Sequence, residues 1–565
     1  MVAALGSKDR RVALLTTALL VALLAVPFGL HAAAFGSWIV DDAAISVAYA
    51  QNLADGHGFV AQPGASPVEG FSNPLWALVL ASLFTLGVFG RADLLGLPGY
   101  VVATRALAAV AHVIVLISLL IVIRRVCVVA DGRAARPTVA LGAWVASGLL
   151  LAANPSYVIW MVSGLENPLL AATVAAMAAV TVSSVNRPTR RSMAALGVLS
   201  GVAALTRPDG VIYVGVVLVV ALLAPWEPAR SRWAAVGPGL AGFAVVFLPY
   251  VAFRRIYFHA WVPNTAVAKG QDRSSPGDLL RVGEVATAFG PWLLGLGVLG
   301  SVVAIARMRQ QRNDAGLRTV IAGLAVVTCS LLAFVVLNPD WMAELRFLTP
   351  AWPLLTATVV LGVFQLVALA RPRAVRVGVA GAAVLAAAVA IPGFVDRTRS
   401  FADTPNVQVC YVAERLGTQF DTAAERLGID AERASLLVPD LGGTLLVSDL
   451  TVIDLAGLAD REIARLRGDD ERAELADYIL TRLRPTFIHI HGPWVRNSGL
   501  DRDPRLRSDY VPLVAGEDYV RRDALTPDAM TRVEEVAVDL RRSADAAITR
   551  RAAAPTRACA ELLFG

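Results

Sequence analysis

The chain is poor in charge and in cysteine. Only 17% of its 565 residues are charged, whereas 56% are hydrophobic and the mean hydropathy is +0.60. A soluble globular protein of this length needs more polar surface, so the composition excludes that class. The four cysteines show no Cys-x-x-Cys or Cys/His spacing. The absence of such spacing argues against a zinc or redox centre.

The chain also lacks internal repeats, low-complexity linkers and a strong net charge. The net charge is +6, and the arginines lie in short clusters between apolar segments. This distribution fits orientation across a membrane better than nucleic-acid binding. Apolar runs of about 20 residues, the length of a membrane-spanning helix, recur to residue 394 and then stop. The sequence therefore predicts a mainly α, polytopic helical bundle in the cell membrane.

The basic clusters predict how the chain crosses the membrane, because cytoplasmic loops are rich in arginine and lysine. Lys8, Arg10 and Arg11 precede the first apolar run and predict a cytoplasmic N-terminus. We predict about eleven spans, near residues 12–34, 101–123, 138–153, 167–185, 192–206, 210–225, 234–253, 290–306, 318–337, 348–369 and 375–394. The clusters then placed inside include Arg124, Arg125, Arg133, Arg136, Arg187, Arg190, Arg191, Arg230, Arg232, Arg307, Arg309, Arg312, Arg371, Arg373 and Arg376.

The composition changes abruptly after Asp396. Strand-length apolar runs at 435–439, 451–454 and 486–491 alternate with helical patterns at 407–427 and 469–483. Such alternation is typical of a small α/β domain. We expect a membrane domain at 1–395 and an extracytoplasmic α/β domain at 396–565. Cys410 and Cys559 would then both lie on the oxidising side, where a disulfide between them and two free thiols are both open alternatives.

The first outer loop, residues 35–100, is the most informative segment. Asp41 and Asp42 follow the first span closely, and ionic groups beside lipid are expensive to desolvate, which favours a function for them. A helical run at 46–54 and a second polar cluster from Glu69 to Asn73 follow. The roughly 40 residues that precede the next apolar helix, at 74–89, are already long for a connector. Residues 74–89 form an apolar helix that we place on the outer membrane face.

Most other polar motifs fall on the same outer side. Cationic residues there run against the positive-inside rule, and an anionic ligand such as a phosphate would explain them. The motifs also have plainer interpretations: a hairpin turn at 206–210, a surface ion pair of Asp340 with Arg346, and a charge at a helix N-terminus for Glu166. The polar residues in question are Arg105, Glu166, Arg207, Asp209, Asn264, Lys269, Asp340 and Arg346.

Taken in order, these motifs resemble a known family, the polyprenyl-phosphate-sugar-dependent membrane glycosyltransferases of the GT-C superfamily. Within it they look like the terminal arabinofuranosyltransferases of mycobacterial and corynebacterial cell walls. The resemblance covers roughly residues 10–465. The motifs that carry it are Asp41-Asp42-Ala43-Ala44-Ile45, Asn52 to Gly58, Pro63-Gly64, Val68 to Asn73, Gly164-Leu165-Glu166, Leu205 to Gly210, Pro263-Asn264-Thr265 with Lys269, Asp340 to Phe347, and Val452 to Asp460.

The resemblance implies a GT-C-like module that moves a sugar, arabinofuranose in that branch, from a polyprenyl-phosphate donor. The acceptor would be a cell-envelope polysaccharide or lipoglycan on the outer side of the membrane, and nucleic acid would have no part. Asp41 is implied as the base that deprotonates the acceptor hydroxyl, with Asp42 orienting it or binding a divalent ion. The implied phosphate-binding residues are Arg207, Lys269, Arg346 and Arg105, and the implied substrate-binding residues are Glu69, Asn73, Glu166, Asp209, Asn264 and Asp340.

The chain departs from the family pattern at two positions. Ala44 stands where an aromatic residue is frequent, and Ala48 stands where the family has arginine. A mannosyl or other hexosyl transferase of the same superfamily is therefore an alternative. Stereochemistry stays open, since one base implies inversion and a carboxylate nucleophile implies retention. A transporter for a lipid-linked sugar and a non-catalytic assembly protein are the alternatives outside enzymes, although transporter sites lie near the bilayer midplane.

Overall fold

The computed structural model describes residues 7–89, 99–130, 137–226, 231–270, 276–468, 471–550 and 563. Helices make up the chain as far as Asp403, and a mixed α/β domain follows. The predicted boundary at 395/396 therefore falls inside a helix that continues into the C-terminal domain. The predictions made for Arg133, Arg136, Arg230 and Cys559 lie outside the described residues.

The membrane domain has helices at all eleven places where the sequence predicts spans. Three described 3₁₀ turns, Pro208–Tyr213, Pro276–Arg281 and Arg346–Leu348, connect some of them. The helices are α1 Ser7–Ala33, α2 Asp41–Ala54, α3 Pro74–Thr85, α4 Gly99–Ala130, α5 Pro137–Ala153, α6 Pro155–Met161, α7 Asn167–Ser184, α8 Arg190–Thr206, α9 Val214–Leu223, α10 Ser231–Tyr257, α11 Asn264–Lys269, α12 Val282–Phe289, α13 Pro291–Gln310, α14 Asp314–Val336, α15 Trp352–Leu369 and α16 Arg373–Asp403.

Fewer of these helices are long enough to cross a bilayer alone. Within the described residues, eight pass by length and hydropathy, or nine if α5 and α6, which meet at a bend of 72°, form one broken span. The two remaining predicted spans correspond to α8, with 17 residues, and to the short apolar segment Pro208–Leu223. A count based on apolar runs thus included two helices that are shorter than a typical span.

Glycines bring two pairs of membrane helices close together. A Cβ on Gly197 of α8 would lie 1.8 Å from the carbonyl oxygen of Gly239 in α10, and one on Gly300 of α13 would lie 1.9 Å from that of Gly362 in α15. Only glycine permits such an approach of two backbones, as is common where membrane helices pack. The first of these contacts holds α8 against α10 in the helix that leads to the turn at Arg207.

The first loop is folded, as its pattern predicts. Its helix α2 begins at Asp41 rather than at Ser46, so both aspartates belong to the first helical turn. α3 has 12 residues and spans about 18 Å, which is too short to cross a bilayer. α2 packs against α3, and the buried side chain of Tyr49 anchors the loop by donating a hydrogen bond to the carbonyl oxygen of Val68 at 2.7 Å.

The C-terminal domain is built on a five-stranded mixed sheet with the order β2-β1-β3-β5-β4. β1, β2 and β3 are parallel and lie where the sequence predicts strands, whereas the hairpin β4–β5 and the last helix were not predicted. The strands are β1 Ser435–Val438, β2 Thr451–Asp454, β3 Phe487–His489, β4 Tyr510–Val514 and β5 Asp518–Arg521. The helices are α17 Val409–Val412, α18 Gln419–Leu427, α19 Gly442–Val447, α20 Arg461–Arg465, α21 Arg472–Asp477, α22 Pro493–Asn497, α23 Arg505–Ser508 and α24 Pro527–Arg550, with π-helical segments at Ala413–Thr418 and Tyr478–Leu483.

Cysteine pairing agrees in part with the sequence-based alternatives. Cys127 and Cys329 are free and buried in the membrane domain. Cys410, at the start of the C-terminal domain, is disulfide-bonded. Cys559, the partner considered from the sequence, lies outside the described residues.

Candidate active site

A cavity of about 250 Å³ lies where helix ends of the membrane domain meet the C-terminal domain. Its walls come from the start of α2, the turn before α3, the connection from α8 to α9, the end of α11 and the 3₁₀ turn at Arg346. Leu458 of the C-terminal domain closes one side. Seven of the twelve predicted site residues line this cavity, namely Asp42, Asn73, Glu166, Arg207, Asp209, Lys269 and Arg346.

Arg207 is presented by a tight turn. It ends α8 in an extended conformation, and Pro208 then begins the 3₁₀ turn that carries Asp209. A Cβ on Gly210 would lie 2.1 Å from the carbonyl oxygen of Ala203, so this turn requires glycine to fold back on α8. The predicted turn is therefore present, and it also directs a charged pair into the cavity, with Arg207 Nε donating to Asp209 Oδ1 at 2.9 Å.

Two arginines share one aromatic ring. The guanidinium of Arg207 lies 4.5 Å from the ring centre of Phe347, and that of Arg346 lies 4.9 Å from it. Arg346 Nε is 2.7 Å from Asp340 Oδ2, so this buried cation has a carboxylate partner outside the cavity wall. Cation–π contacts and ion pairs together keep both guanidinium groups charged and fixed.

Polar side chains connect the first loop to α7. Asn73 accepts a hydrogen bond from Ser46 Oγ at 3.0 Å and donates one to Glu166 Oε2 at 2.8 Å. Glu166 Oε1 lies 3.6 Å from Arg207 Nη1. The chain of contacts from Ser46 to Arg207 sets the spacing between the loop and the cationic wall.

Asp42 and Lys269 differ from the other charged residues of the cavity. The side chain of neither residue makes a hydrogen bond or an ion pair within 4 Å with any residue that the structure describes. Lys269 is exposed in the cavity, and Asp42 is half-buried. The cavity therefore offers one carboxylate and one amine that the protein itself does not neutralise.

The electrostatic surroundings of Asp42 favour a proton acceptor. Burial raises the pKa of the Asp42 carboxyl above its ordinary value, and the negative charges of Asp340 and Asp440 act in the same direction. The positive charges of Lys269 and Arg346 oppose this shift. A carboxylate with a raised pKa is a stronger base than an ordinary aspartate.

Asp41 points away from the cavity. Only 5% of it is exposed, and its two carboxylate oxygens accept hydrogen bonds from the backbone N–H groups of Gly442 at 3.1 Å and Gly443 at 2.7 Å. Burial raises the pKa of Asp41 well above its ordinary value. Sequence analysis assigned Asp41 the role of base and Asp42 a supporting role, but the positions of the two side chains favour the reverse.

Four other predicted site residues also lie outside the cavity wall. Glu69 is buried and bonded to Arg254 and to the hydroxyl of Tyr250, which donates at 2.7 Å. The side chain of Asn264 donates to three carbonyl oxygens of the C-terminal domain, at 2.8 to 3.2 Å. Arg105 bonds the carbonyl oxygens of Ala32 and Gly36 at the end of α1, and Asp340 pairs with Arg346. None of these four residues is among those that line the cavity, and their side chains are bonded to other groups of the protein.

Sequence analysis missed several residues of the wall. Phe347 directly follows Arg346 in a quoted motif, but nothing in that motif indicates that its ring carries two arginines. Ser46, Ser72 and Thr265 also line the cavity. Lys269, by contrast, was predicted, and it is also one of only two lysines in the chain, the other being Lys8.

The residues around Asp42 do not fit a divalent metal ion, which sequence analysis allowed as an alternative. Such an ion requires several oxygen ligands. In the described part of the chain no three His, Cys, Asp or Glu residues converge, and Glu166 and Asp209 both face Arg207. Lys269 and Arg346 beside Asp42 also disfavour another cation.

A solved structure with a similar course of the chain shows the fold. An archaeal oligosaccharyltransferase, AglB from Archaeoglobus fulgidus in complex with an inhibitory peptide and a dolichol-phosphate, aligns with a TM-score of 0.51 at 12% identity, over 83% of this chain and 69% of that one. The chain shares the fold of this structure. An Archaeoglobus fulgidus oligosaccharyltransferase in complex with Zn and sulfate aligns with a TM-score of 0.48 at 13% identity, over 82% and 67% of the two chains.

The sequence itself matches no family model and no curated protein. The shared fold therefore rests on the arrangement of helices and not on sequence identity. The resemblance to the GT-C superfamily, and within it to arabinofuranosyltransferases, rests on the ordered motifs. In this fold the cavity is formed by helix ends rather than by the middle of the long helices.

Proposed function

We propose that the protein is a membrane glycosyltransferase that moves a sugar from a polyprenyl-phosphate donor to a cell-envelope glycan on the outer side of the membrane. One observation carries the proposal: in a GT-C fold, a cavity presents a carboxylate, Asp42, and an amine, Lys269, and no residue that the structure describes pairs with either. The carboxylate meets the need for a base. The amine and the two fixed arginines meet the need for cations beside a phosphate.

The proposed reaction needs no acid catalyst. The acceptor oxygen attacks the anomeric carbon while the bond from that carbon to the phosphate oxygen breaks, and the bonding electron pair leaves with the lipid phosphate. The acceptor proton passes to Asp42. Lys269, Arg207 and Arg346 stabilise the charge that develops on the leaving phosphate, and such fixed electrostatic stabilisation is a large term in catalysis.

The geometry supports inversion. Retention through a covalent intermediate needs a free carboxylate nucleophile. Glu166 and Asp209, the other acidic residues of the wall, are both engaged by Arg207. A single available carboxylate therefore favours one direct displacement.

Arabinofuranose is the sugar that the ordered motifs favour, and the acceptor would be a cell-wall arabinan or a lipoglycan. Ala48, where the family has arginine, leaves a mannosyl or other hexosyl donor as the alternative. The position of the cavity at helix ends favours a transferase over a transporter, whose site would lie near the bilayer midplane. The base and the cations would then lie within reach of a lipid headgroup.

The test is a transfer assay with the purified full-length protein in nanodiscs, offered polyprenyl-phosphate arabinofuranose or polyprenyl-phosphate mannose with an oligosaccharide acceptor. Asp42→Asn should lower turnover by about 10²–10⁴-fold, because an amide cannot accept the proton. Glu534→Gln, an exposed carboxylate of α24, is the matched control and should leave turnover unchanged. Wild-type turnover by Asp42→Asn would remove Asp42 as the base, and no transfer from either donor would reject the proposed reaction with these sugars.

A further inference from the structure

The strand order of the C-terminal sheet reverses at β1. β1 continues to β2 on one side, and β3 lies on its other side. The loops after β1 and β3 therefore separate, and open α/β sheets bind their ligands at such points. Asp440 follows β1, His491 follows β3, and the two side chains are bonded at 2.8 Å between Asp440 Oδ2 and His491 Nε2.

A side chain of the membrane domain lies beside this loop. Asp41 places both carboxylate oxygens on the N–H groups of Gly442 and Gly443, which follow Asp440 after one intervening residue, Leu441. Backbone groups add to this contact. Asp41 N–H donates to the carbonyl oxygen of Val407 at 3.0 Å, and Val40 pairs with Gln408 in an antiparallel bridge. The start of α2 is thus held at several points by the C-terminal domain.

The glycine pair is required for this contact. A Cβ on Gly442 would lie 2.1 Å from the carbonyl oxygen of Asp41 and 2.7 Å from its Cγ. A Cβ on Gly443 would lie 2.4 Å from the carbonyl oxygen of Val409. Backbone atoms cannot move away as a flexible side chain can, so even alanine at Gly442 forces the start of α2 and the loop apart.

Asp41 and Asp42 are consecutive residues of one helical turn, so their side chains project about 100° apart around the axis of α2. One carboxylate reaches the C-terminal domain, and the next lines the cavity. Any rotation of the first turn moves both. Fixing Asp41 therefore fixes the direction of Asp42.

We infer that Asp41 is a positioning residue: the C-terminal domain holds α2 through Asp41 and thereby directs Asp42 at the acceptor hydroxyl. The inference rests on the proposed function, in which Asp42 is the base. It explains why two adjacent aspartates are present although one of them faces the cavity. It also gives the C-terminal domain a part in the geometry of the reaction.

The kinetic test compares Asp41→Asn, Gly442→Ala and Asp42→Asn in the full-length protein. Asp41→Asn and Gly442→Ala should each lower kcat by about 10²-fold, as expected for displacement of a catalytic group by about 1 Å. Both should keep an acid limb in the pH–rate profile, because Asp42 and the charges of Lys269, Arg346, Asp340 and Asp440 around it remain. Asp41→Asn also removes the charge of Asp41, which interacts with that of Asp42, so its limb should move to lower pH. Gly393→Ala, which meets no atom within 4 Å, is the matched control. Loss of the acid limb in Asp41→Asn, with a retained limb in Asp42→Asn, would overturn the inference.

A second measurement does not depend on activity. Asp41→Ala should speed hydrogen exchange in the peptide that contains Gly442 and Gly443, and Gly442→Ala should do so in the first turn of α2. Unchanged exchange in both would show that the contact does not hold the two parts together, and would overturn the inference. If the wild-type protein transfers no sugar, the proposed function fails, whereas coupled exchange would still establish the Asp41 contact.

Discussion

Asp42 and Lys269 are the charged residues of the cavity whose side chains have no partner among the described residues. Arg207 is neutralised by Asp209 and Glu166, and Arg346 by Asp340. An unpaired charge in a partly closed cavity costs free energy unless a ligand completes it. The two unpaired groups therefore mark where the acceptor proton and the donor phosphate would lie.

The raised pKa of Asp42 predicts a pH dependence. A base with a raised pKa is active above that pKa and becomes protonated as the pH falls through it, so kcat/KM should fall on the acid side at a pH above the ordinary range of aspartate, about 4. Asp440→Asn removes a charge that raises this pKa and should shift the acid limb to lower pH. Measured pH–rate profiles of the two proteins test this. Coincident limbs would show that the titrating group is not Asp42.

Lys269 should act on the donor. Lys269→Ala should lower kcat/KM by about 10²-fold, because one of the fixed charges beside the leaving phosphate is lost. Arg255→Ala is the control, since Arg255 is an exposed cation that lies over the ring of Trp261 and not in the cavity wall. Transfer rates at saturating and limiting donor give the measurement. Equal kcat/KM for wild type and Lys269→Ala would place the phosphate elsewhere.

The sequence identified the residue types of the site better than their partners. Arg207, Lys269 and Glu166 were found because charged groups in short outward turns are unusual. The different surroundings of Asp41 and Asp42 were beyond sequence reasoning, since the contact of Asp41 is with Gly442, some 400 positions later in the chain. Contacts of that range leave no local pattern.

At the scale of elements, Glu69 ties the first loop to α10. Its carboxylate lies 2.5 Å from Arg254 Nε and is 1% exposed, so the pair is fully buried. The backbone oxygen of Glu69 also accepts from Asn264 N–H at 3.1 Å. This arrangement gives the motif around Glu69 a structural role, in place of the substrate contact that the resemblance implies.

Glu69→Ala should therefore destabilise the protein by about 3–5 kcal/mol, because Arg254 would remain as a buried, unpaired charge. The double variant Glu69→Ala with Arg254→Met should recover part of this loss. Thermal unfolding in detergent measures both, with Glu534→Ala as the exposed control. A wild-type melting temperature together with a raised KM for the donor would return Glu69 to the substrate-binding residues.

Local patterns predicted most elements because their signals are periodic or compositional. The parallel strands β1 to β3 were found from short apolar runs, and β2 has the predicted bounds, Thr451–Asp454. The hairpin β4–β5 was missed because Pro512 lies inside one strand and charged residues begin and end the other.

At the scale of the whole molecule, the number of crossings decides on which side the C-terminal domain lies. Nine or eleven crossings place it opposite the N-terminus, whereas eight place both on the same side. The topology therefore depends on whether the membrane is crossed by the bent pair α5–α6 and by the short helices α8 and α9. The arginine clusters favour an odd number.

Cysteine labelling in intact cells tests this topology. Ala515→Cys, in the exposed turn between β4 and β5, should react with an impermeant thiol reagent. Gln311→Cys, in the exposed turn between α13 and α14, should react only after permeabilisation. The parent protein gives the background, to which the buried Cys127 and Cys329 should add little. The reverse pattern would place the C-terminal domain in the cytoplasm and contradict a reaction on the outer side.

The contact between Asp41 and the two glycines has a consequence for exchanging parts between proteins of this fold. A chimera that replaces residues 404–565 by a domain without a glycine pair after its first strand would leave Asp41 buried without hydrogen-bond donors, at a cost of a few kcal/mol. The loop after β1 and the first turn of α2 form one interchangeable unit, although about 400 residues separate them. Grafting must move them together.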